Sequence, residues 1–217
     1  MASTRSWALA AGVGVTVAAL SPPAQARAEA SLTAHMVQHV VLLVIAAPML
    51  VASRRPAAGA VPVAPWALVA GAGLHAGLMV AWHLPLAFDA AERTDAVHGL
   101  DHLSLLATAA VFWWVVGLGS RPPHRLSVLA VFASSMAGVG LGAAMTLAAT
   151  PWYAHHPAIS DQQVAGVVMW ALAGLAYLGI GITLFVRALG GEEPGPRLAP
   201  APAPGARAAQ PSGNAVS

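Results

Sequence analysis

Residues 35–52 read HMVQHVVLLVIAAPMLVA, an apolar run that contains no Asp, Glu, Lys or Arg. About 17–25 consecutive apolar residues are enough for an α-helix to cross the hydrocarbon core of a membrane. Four further runs of this kind lie outward from the first, at 65–84, 97–119, 126–148 and 164–186. The pattern predicts an all-α, polytopic transmembrane helical bundle with five spans.

The composition of the chain points to the same class. Of the 217 residues, 58% are hydrophobic and 8% are charged, whereas soluble domains carry about 25% charged residues. The formal net charge of +2 reflects few acidic residues, and the scattered Arg residues have no aromatic interleaving. We therefore expect contact with membrane lipid and no nucleic-acid partner. The absence of Cys excludes disulfides and thiolate metal sites.

Two interpretations of the first thirty residues remain open. Arg5 precedes an apolar run at 7–20, which is followed by two prolines and by Ala24-Gln25-Ala26. This order is typical of a signal peptide, and the alternative is a short first transmembrane segment. The predicted domains are 1–30 for this segment, 31–187 for the transmembrane helical bundle and 188–217 for a disordered Pro/Ala-rich tail.

The positions of the Arg residues predict the orientation of the spans. Cytoplasmic ends of membrane helices carry an excess of Lys and Arg. The loops 85–96 and 149–163 hold a single Arg, so we expect them to face outward. The predicted location is a bacterial cytoplasmic membrane, with several passes and a cytoplasmic C-terminus. The Arg residues that mark the cytoplasmic ends are Arg54, Arg55, Arg121, Arg125 and Arg187.

Two histidine pairs share one spacing, His35 with His39 and His98 with His102. Residues four apart lie on the same face of a helix, so each pair can aim two imidazoles at one point. Imidazole binds copper, zinc and iron, and an ionisable residue inside a span is costly without a partner. His83 ends a span on the same predicted side. We expect a metal or haem site near the outer face; the alternative is that these side chains only bond neighbouring helices.

Other polar and sulfur-bearing residues have two interpretations each. Asp101 either orients an imidazole or binds a metal directly, and the alternative is helix capping or a salt bridge to Arg93. Met36 lies beside the first histidine pair and is a supporting ligand. His75 and Met79 recur with His83 at four-residue spacing and could form an inward relay for a soft cation. The favoured alternative is that His75 hydrogen-bonds between helices and Met79 fills packing space.

Small and aromatic residues suggest packing rather than chemistry. Gly138-xxx-Gly142 and Gly73-xxx-Gly77 are predicted to be close helix-packing faces. No HExxH motif, Walker-type loop or Ser/His/Asp order stands out, so an enzyme is not expected. Six aromatic residues are expected mainly in interface belts: Trp82, Trp113, Trp114, Trp152, Tyr153 and Trp170.

Three blocks of sequence together resemble the caa3-type cytochrome c oxidase assembly factor (CtaG-like) family. The first is His35-Met36-Val37-Gln38-His39 leading to Ala47-Pro48, which is similar to the HMxQH block of the family. Asp101 stands where the family usually has Glu, and family members commonly carry more apolar spans before the HMxQH block. The other two blocks contain Trp82-His83-Leu84-Pro85, Phe88-Asp89-Ala90, His98-Gly99-Leu100-Asp101-His102 and Phe112-Trp113-Trp114, and then Asp161-Gln162-Gln163, Ala165-Gly166 and Met169-Trp170.

The resemblance implies a membrane protein that assists maturation of a haem–copper oxidase by handling copper on the outer face. The implied partners are an oxidase subunit and a copper donor protein, and a homodimer is one alternative for the oligomeric state. A haem-b-binding redox protein and a metal-free scaffold or transporter remain alternatives, as does zinc as the metal. The expected metal ligands are His35, His39, His83, His98 and His102, with Asp101 and Met36 in support.

Overall fold

Every regular element that the structure describes is helical. The computed structural model describes residues 2–54, 62–118 and 122–190. Five helical segments in these ranges are long and apolar enough to cross a membrane, which confirms the predicted all-α polytopic bundle. They are Leu32–Ala52, Pro65–His83, Asp95–Gly117, Arg125–Leu147 and Ile159–Val186.

The N-terminal residues form α1 (Ala2–Ala19) and α2 (Pro22–Ala30). The two helices meet at 49° and make a sixth span only if the bent pair crosses the membrane as one. Pro22 and Pro23 lack the backbone N–H that would continue α1, and this accounts for the break. The choice between a signal peptide and a first span stays a prediction. At the other terminus, residues 191–217 of the predicted tail lie outside the described residues.

The first confident span is interrupted by a π-helical segment. It consists of α3 (Leu32–Val40), the π-helical Val41–Ala46 and α4 (Ala47–Ala52). Pro48 has no N–H to donate, and the N–H of Ala47 bonds Leu42 O, five residues back.

This change in backbone hydrogen bonding leaves the carbonyl oxygen of Leu43 without a donor from its own helix. The indole Nε1 of Trp113 donates to it at 2.7 Å from the third span, and Trp113 is fully buried. The prediction that Trp113 lies in an interface belt is therefore wrong. Its N–H satisfies a backbone group that a proline-containing span cannot satisfy internally.

The remaining spans complete the bundle around this first span. They are α5 (Pro65–His83), α7 (Asp95–Trp113, continued by the π-helical Trp114–Leu118), α8 (His124–Leu147) and α9 (Ile159–Gly190), with the short α6 (Pro85–Arg93) between α5 and α7. Helix α3 packs against α9, α5 against both α7 and α8, α8 against α9, and α6 against α7.

One predicted glycine face mediates a close helix contact and the other does not. A Cβ on Gly166 of α9 would lie 2.5 Å from Gly142 O of α8, so these backbones touch. A Cβ on Gly138 would meet only the Met79 side chain, at 3.6 Å or more. Around Gly73 and Gly77 nothing lies within 4 Å, so the prediction of a packing face there is wrong.

The up-and-down course of the chain brings five parts of the protein to one end of the bundle. These are the start of α3, the end of α5, the whole of α6, the start of α7 and the loop between α8 and α9. We call this the histidine end, because most of the histidines in the sequence belong to these parts. They are His35, His39, His83, His98, His102, His155 and His156.

Candidate metal centre

The histidine pair of α3 is buried and points into the bundle. His35 is fully buried and His39 is 4% exposed, and their Nε2 atoms are 3.1 Å apart. Two nitrogen ligands of one tetrahedral ion, each about 2.0–2.1 Å from the metal, would be roughly 3.3 Å apart. The spacing of these two nitrogens is therefore close to that of two ligands of one metal.

His102 of α7 faces the same point. Its Nδ1 donates to His98 O at 3.0 Å, one helical turn back, so Nε2 carries a free lone pair. The rings of His102 and His39 are 4.9 Å apart. One nitrogen from each of His35, His39 and His102 lies within 4.8 Å of the other two. This group of three side chains is called the inner site below.

Asp101 adds a carboxylate to the inner site. Its Oδ2 lies 3.3 Å from His39 Nε2, and its side chain is 3% exposed. Its Oδ1 has no hydrogen-bond partner among the described residues. Of the alternatives left open by the sequence, the position beside His39 agrees with an orienting or ligating role.

His83 and Met36 lie next to the inner site. The Nδ1 of His83 donates to Met79 O at 2.7 Å, so its Nε2 lone pair faces Met36 Sδ at 3.3 Å. The His83 ring is 5.4 Å from that of His39. A soft sulfur donor and an imidazole therefore border the inner site on the side of α5.

Tyr153 holds the end of α5 at the inner site. Its hydroxyl donates to His83 O at 2.8 Å, and burial raises the pKa of Tyr153, which keeps the hydroxyl a donor. The side chain is 2% exposed, so the prediction that Tyr153 lies in an interface belt is wrong.

His98 has a different position from the other predicted ligands. Its ring is 4.5 Å from that of His102. Its nitrogens, however, face Glu92 Oε1 at 3.7 Å and Gln25 Oε1 at 3.4 Å. The structure thus brings His35, His39 and His102 together with Asp101, and it places Met36 and His83 next to this group. His98 lies at its edge.

Sequence reasoning missed Glu92, which approaches three imidazoles. Its nearest neighbour among them is His35, with Oε1 3.5 Å from Nδ1. Burial raises the pKa of the Glu92 carboxyl above its ordinary value. The signal in the sequence was the helical spacing of Phe88, Ala91 and Glu92, which places the acid on the buried face of α6.

Asp161 of α9 fixes the start of α3, and with it the first histidine pair. Its Oδ2 accepts from Leu32 N at 2.7 Å, and its Oδ1 accepts from Ser31 Oγ at 3.0 Å and Thr33 N at 3.2 Å. A carboxylate at this position satisfies free N–H groups and complements the helix dipole. The Asp161-Gln162-Gln163 block therefore supports the inner site from a distant part of the chain.

Gln162 and His75 have structural partners outside the inner site. Gln162 Oε1 accepts from Trp152 N at 2.7 Å and so holds the loop between α8 and α9. His75 Nε2 is 2.9 Å from the Tyr177 hydroxyl, which agrees with its expected role as a hydrogen bonder between helices.

A comparison of the amino-acid sequence with known families matches the chain to a described group of proteins. A sequence model of the cytochrome c oxidase caa3 assembly factors (Caa3_CtaG) matches residues 1–190. The chain belongs to this family. The resemblance seen in the three sequence blocks is thereby confirmed, and this family member is a polytopic membrane protein of oxidase assembly. No curated protein and no solved structure matches the chain.

Proposed function

We propose that this assembly factor binds copper at the inner site and delivers it to a subunit of a haem–copper oxidase. The observation that carries the proposal is the convergence of His35, His39 and His102, whose donor atoms lie within 4.8 Å of one another in a buried position. The Asp101 carboxyl group lies beside them, with Oδ2 3.3 Å from His39 Nε2. Copper is the cargo of this protein, and no bond is made or broken except those to the metal.

The unsatisfied atoms of the inner site favour a bound cation. His39 Nδ1, His102 Nε2 and Asp101 Oδ1 are buried without a hydrogen-bond partner among the described residues. Each buried polar atom of this kind costs about 1–3 kcal/mol. A metal that uses the His102 nitrogen and the carboxylate would offset part of this cost.

The neighbouring atoms favour copper over the alternatives. Met36 and His83 present a thioether and an imidazole lone pair 3.3 Å apart, and thioethers select Cu(I) over zinc. The cavity that borders His39 and His83 has a volume of about 30 Å³. This is smaller than the pockets of about 300–1,000 Å³ that usually hold organic ligands, and its size suits a single ion.

We further propose that the histidine end faces outward and the C-terminus faces the cytoplasm. The argument is the positive-inside rule, since Arg54, Arg125 and Arg187 all lie at the opposite ends of their spans. A reporter enzyme that is active only in the cytoplasm, fused after residue 217, is expected to be active. An inactive but stably expressed fusion would contradict the orientation.

The copper proposal is tested by anaerobic titration of the detergent-purified protein with Cu(I) against a chromophoric chelator. We expect tight binding in the wild type and its loss in His102→Gln, which removes one nitrogen of the inner site. The matched control is His155→Gln, because His155 is 42% exposed and lies outside the inner site. Equal Cu(I) binding in wild type and His102→Gln would sink the proposal and leave the metal-free scaffold.

A further inference from the structure

Helix α6 lies against the inner site and carries an acidic residue to which the proposed function gives no role. The Glu92 side chain is 7% exposed, and its Oε1 lies 3.5 Å from His35 Nδ1. Phe88, one turn earlier on the same face of α6, has its ring 5.0 Å from that of His35. The other nitrogen of His35, Nε2, is 3.1 Å from His39 Nε2. His35 thus meets α6 through Nδ1 and the inner site through Nε2.

The position of one proton decides whether His35 can bind a metal. A neutral imidazole carries its proton on either Nδ1 or Nε2, and only the nitrogen without the proton can ligate an ion. The Nε2 atoms of His35 and His39 form a hydrogen bond, so in the metal-free protein one of them carries the proton that the other accepts. When both atoms ligate one ion, each ring must hold its proton on Nδ1. For His35, this proton lies on the side of Glu92 Oε1.

Glu92 Oε1 supplies the acceptor that this proton needs. Both His35 Nδ1 and Glu92 Oε1 are buried, and neither has a hydrogen-bond partner among the described residues. Their separation of 3.5 Å exceeds the usual N–H···O length of about 2.9–3.0 Å by only about 0.5 Å. A carboxylate at the second ring nitrogen is a common means of orienting a histidine that ligates a metal. The contact therefore has the chemistry of an orienting interaction.

Two further imidazoles surround the Glu92 carboxyl group at longer distances. His98 Nδ1 of α7 lies 3.7 Å from Oε1, and His156 Nε2, in the loop between α8 and α9, lies 3.8 Å from Oε2. Both separations are too long for hydrogen bonds. The approach to His35 is the shortest of the three, and His156 faces the other oxygen. Oε1 is therefore available to His35.

We propose that Glu92 is a positioning residue for the inner site. It accepts the Nδ1 proton of His35 and so directs the Nε2 lone pair of that ring at the ion that His39 and His102 also bind. Glu92 itself does not contact the ion. This role deepens the proposed function and rests on it for the identity of the metal. The effect on the His35 tautomer does not depend on copper.

The first test is a double-mutant cycle on the Cu(I) affinity of the full-length protein in detergent, measured against a chromophoric chelator. We expect Glu92→Leu to lower the affinity about 10–100-fold, the usual effect of losing a group that orients a metal ligand. Glu92→Gln should lower it less, because its amide oxygen can accept the same proton. In the His35→Gln background, Glu92→Leu should have no further effect, because the histidine through which it acts is absent.

The matched control is Asp95→Leu, which removes an exposed carboxyl group three residues further along the chain. It should bind Cu(I) as wild type does. An unchanged affinity in Glu92→Leu would overturn the positioning role, and so would the same fold-loss in the wild-type and His35→Gln backgrounds. Circular dichroism shows whether each variant keeps its helix content. If Glu92→Leu does not fold, Glu92→Gln takes its place in the cycle.

The second readout is the tautomer of His35 in the metal-free protein, taken from the NMR chemical shifts of its ring nitrogens and assigned by their loss in His35→Gln. We expect the Nδ1–H form in the wild type and a larger share of the Nε2–H form in Glu92→Leu. A contact that only holds α6 in place would leave the tautomer unchanged, and that result would overturn the proposal. This comparison decides if His35→Gln binds Cu(I) too weakly for the cycle.

The two proposals fail in different ways. A wild type whose Cu(I) binding is absent, or is unchanged by His102→Gln, would reject the proposed function, and the tautomer of His35 would then decide the role of Glu92. Cu(I) binding that His102→Gln abolishes but Glu92→Leu leaves intact would reject the role of Glu92 alone.

Discussion

At the scale of single residues, the tautomers of two histidines are set by their own helices. His83 and His102 each donate Nδ1–H to the carbonyl four residues back, at 2.7 Å and 3.0 Å. Their Nε2 lone pairs are therefore available, and the rings are held before any ligand arrives. A hydrogen bond of this kind at the other ring nitrogen is the usual way in which proteins orient a metal-binding histidine.

Asp101→Asn separates a metal-related role of this carboxylate from a structural one. The substitution keeps the shape but replaces a buried carboxyl group, 3.3 Å from His39 Nε2, with a neutral amide. We expect Cu(I) affinity to fall about 10–100-fold, the usual effect of losing a group that supports metal ligands. The thermal midpoint of the metal-free protein should stay the same or rise, because an amide costs no more to bury than a carboxyl group that can ionise. Chelator competition and differential scanning fluorimetry measure the two quantities.

The control for this substitution is Asp95→Asn, which changes an exposed acid in the first turn of the same helix. It should leave Cu(I) affinity unchanged. Asp101→Asn could instead lower the thermal midpoint and keep full Cu(I) affinity. That result would show that Asp101 stabilises the contact between α7 and His39 of α3 and does not support metal binding.

The sequence predicted the paired histidines but not the residues around Glu92. Spacing within one helix determines that His35 and His39 share a face, so the pair can be recognised without a structure. The approach of Glu92 to His156 depends on how α6 and the loop after α8 pack against α7. No local pattern contains that information, although the spacing of Phe88, Ala91 and Glu92 indicated which face of α6 is buried.

At the scale of elements, the interrupted first span depends on a partner far away in the chain. Pro48 makes it certain that one carbonyl of the span loses its helical donor. The sequence does not say that Trp113 supplies the replacement, because that depends on the packing of α7 beside α3 and α4. For the same reason the apolar character of Trp113 suggested an interface position, whereas its N–H is needed inside the bundle.

Gly166→Ala is expected to destabilise the contact between α8 and α9. Its Cβ would lie 2.5 Å from Gly142 O and from Thr146 Oγ1, so the helices would have to move apart. Overpacking of this kind costs about 1–3 kcal/mol. Unfolding in mixed detergent micelles measures the change in the free energy of unfolding.

Gly179→Ala on the same helix is the matched control, because a Cβ at this position would have nothing within 4 Å. It should be neutral or stabilising, by up to about 1 kcal/mol, since alanine is the better helix former. Equal effects of the two substitutions would contradict the close approach. The glycine spacing in the sequence also predicted a packing face at Gly73 and Gly77. This prediction was wrong because small residues permit close packing of helices but do not require it.

At the scale of the whole molecule, the five spans could be predicted because the thickness of a bilayer fixes the length of an apolar helix. Because successive spans cross in opposite directions, His39, His83 and His102 lie at the same end of the bundle. Hydropathy does not determine which helices are neighbours or how deep each side chain lies. The division between an inner site and a group around Glu92 therefore emerges only in three dimensions.

The central claim is that the inner site supplies copper to an oxidase. The most direct test is the copper-to-haem ratio of the caa3-type oxidase purified from cells in which this protein is replaced by its His35→Gln/His102→Gln variant. We predict an oxidase that retains its haem but has lost most of its copper, while His155→Gln cells make an oxidase with normal copper. A full complement of copper in the double variant, expressed at the wild-type level, would contradict the account.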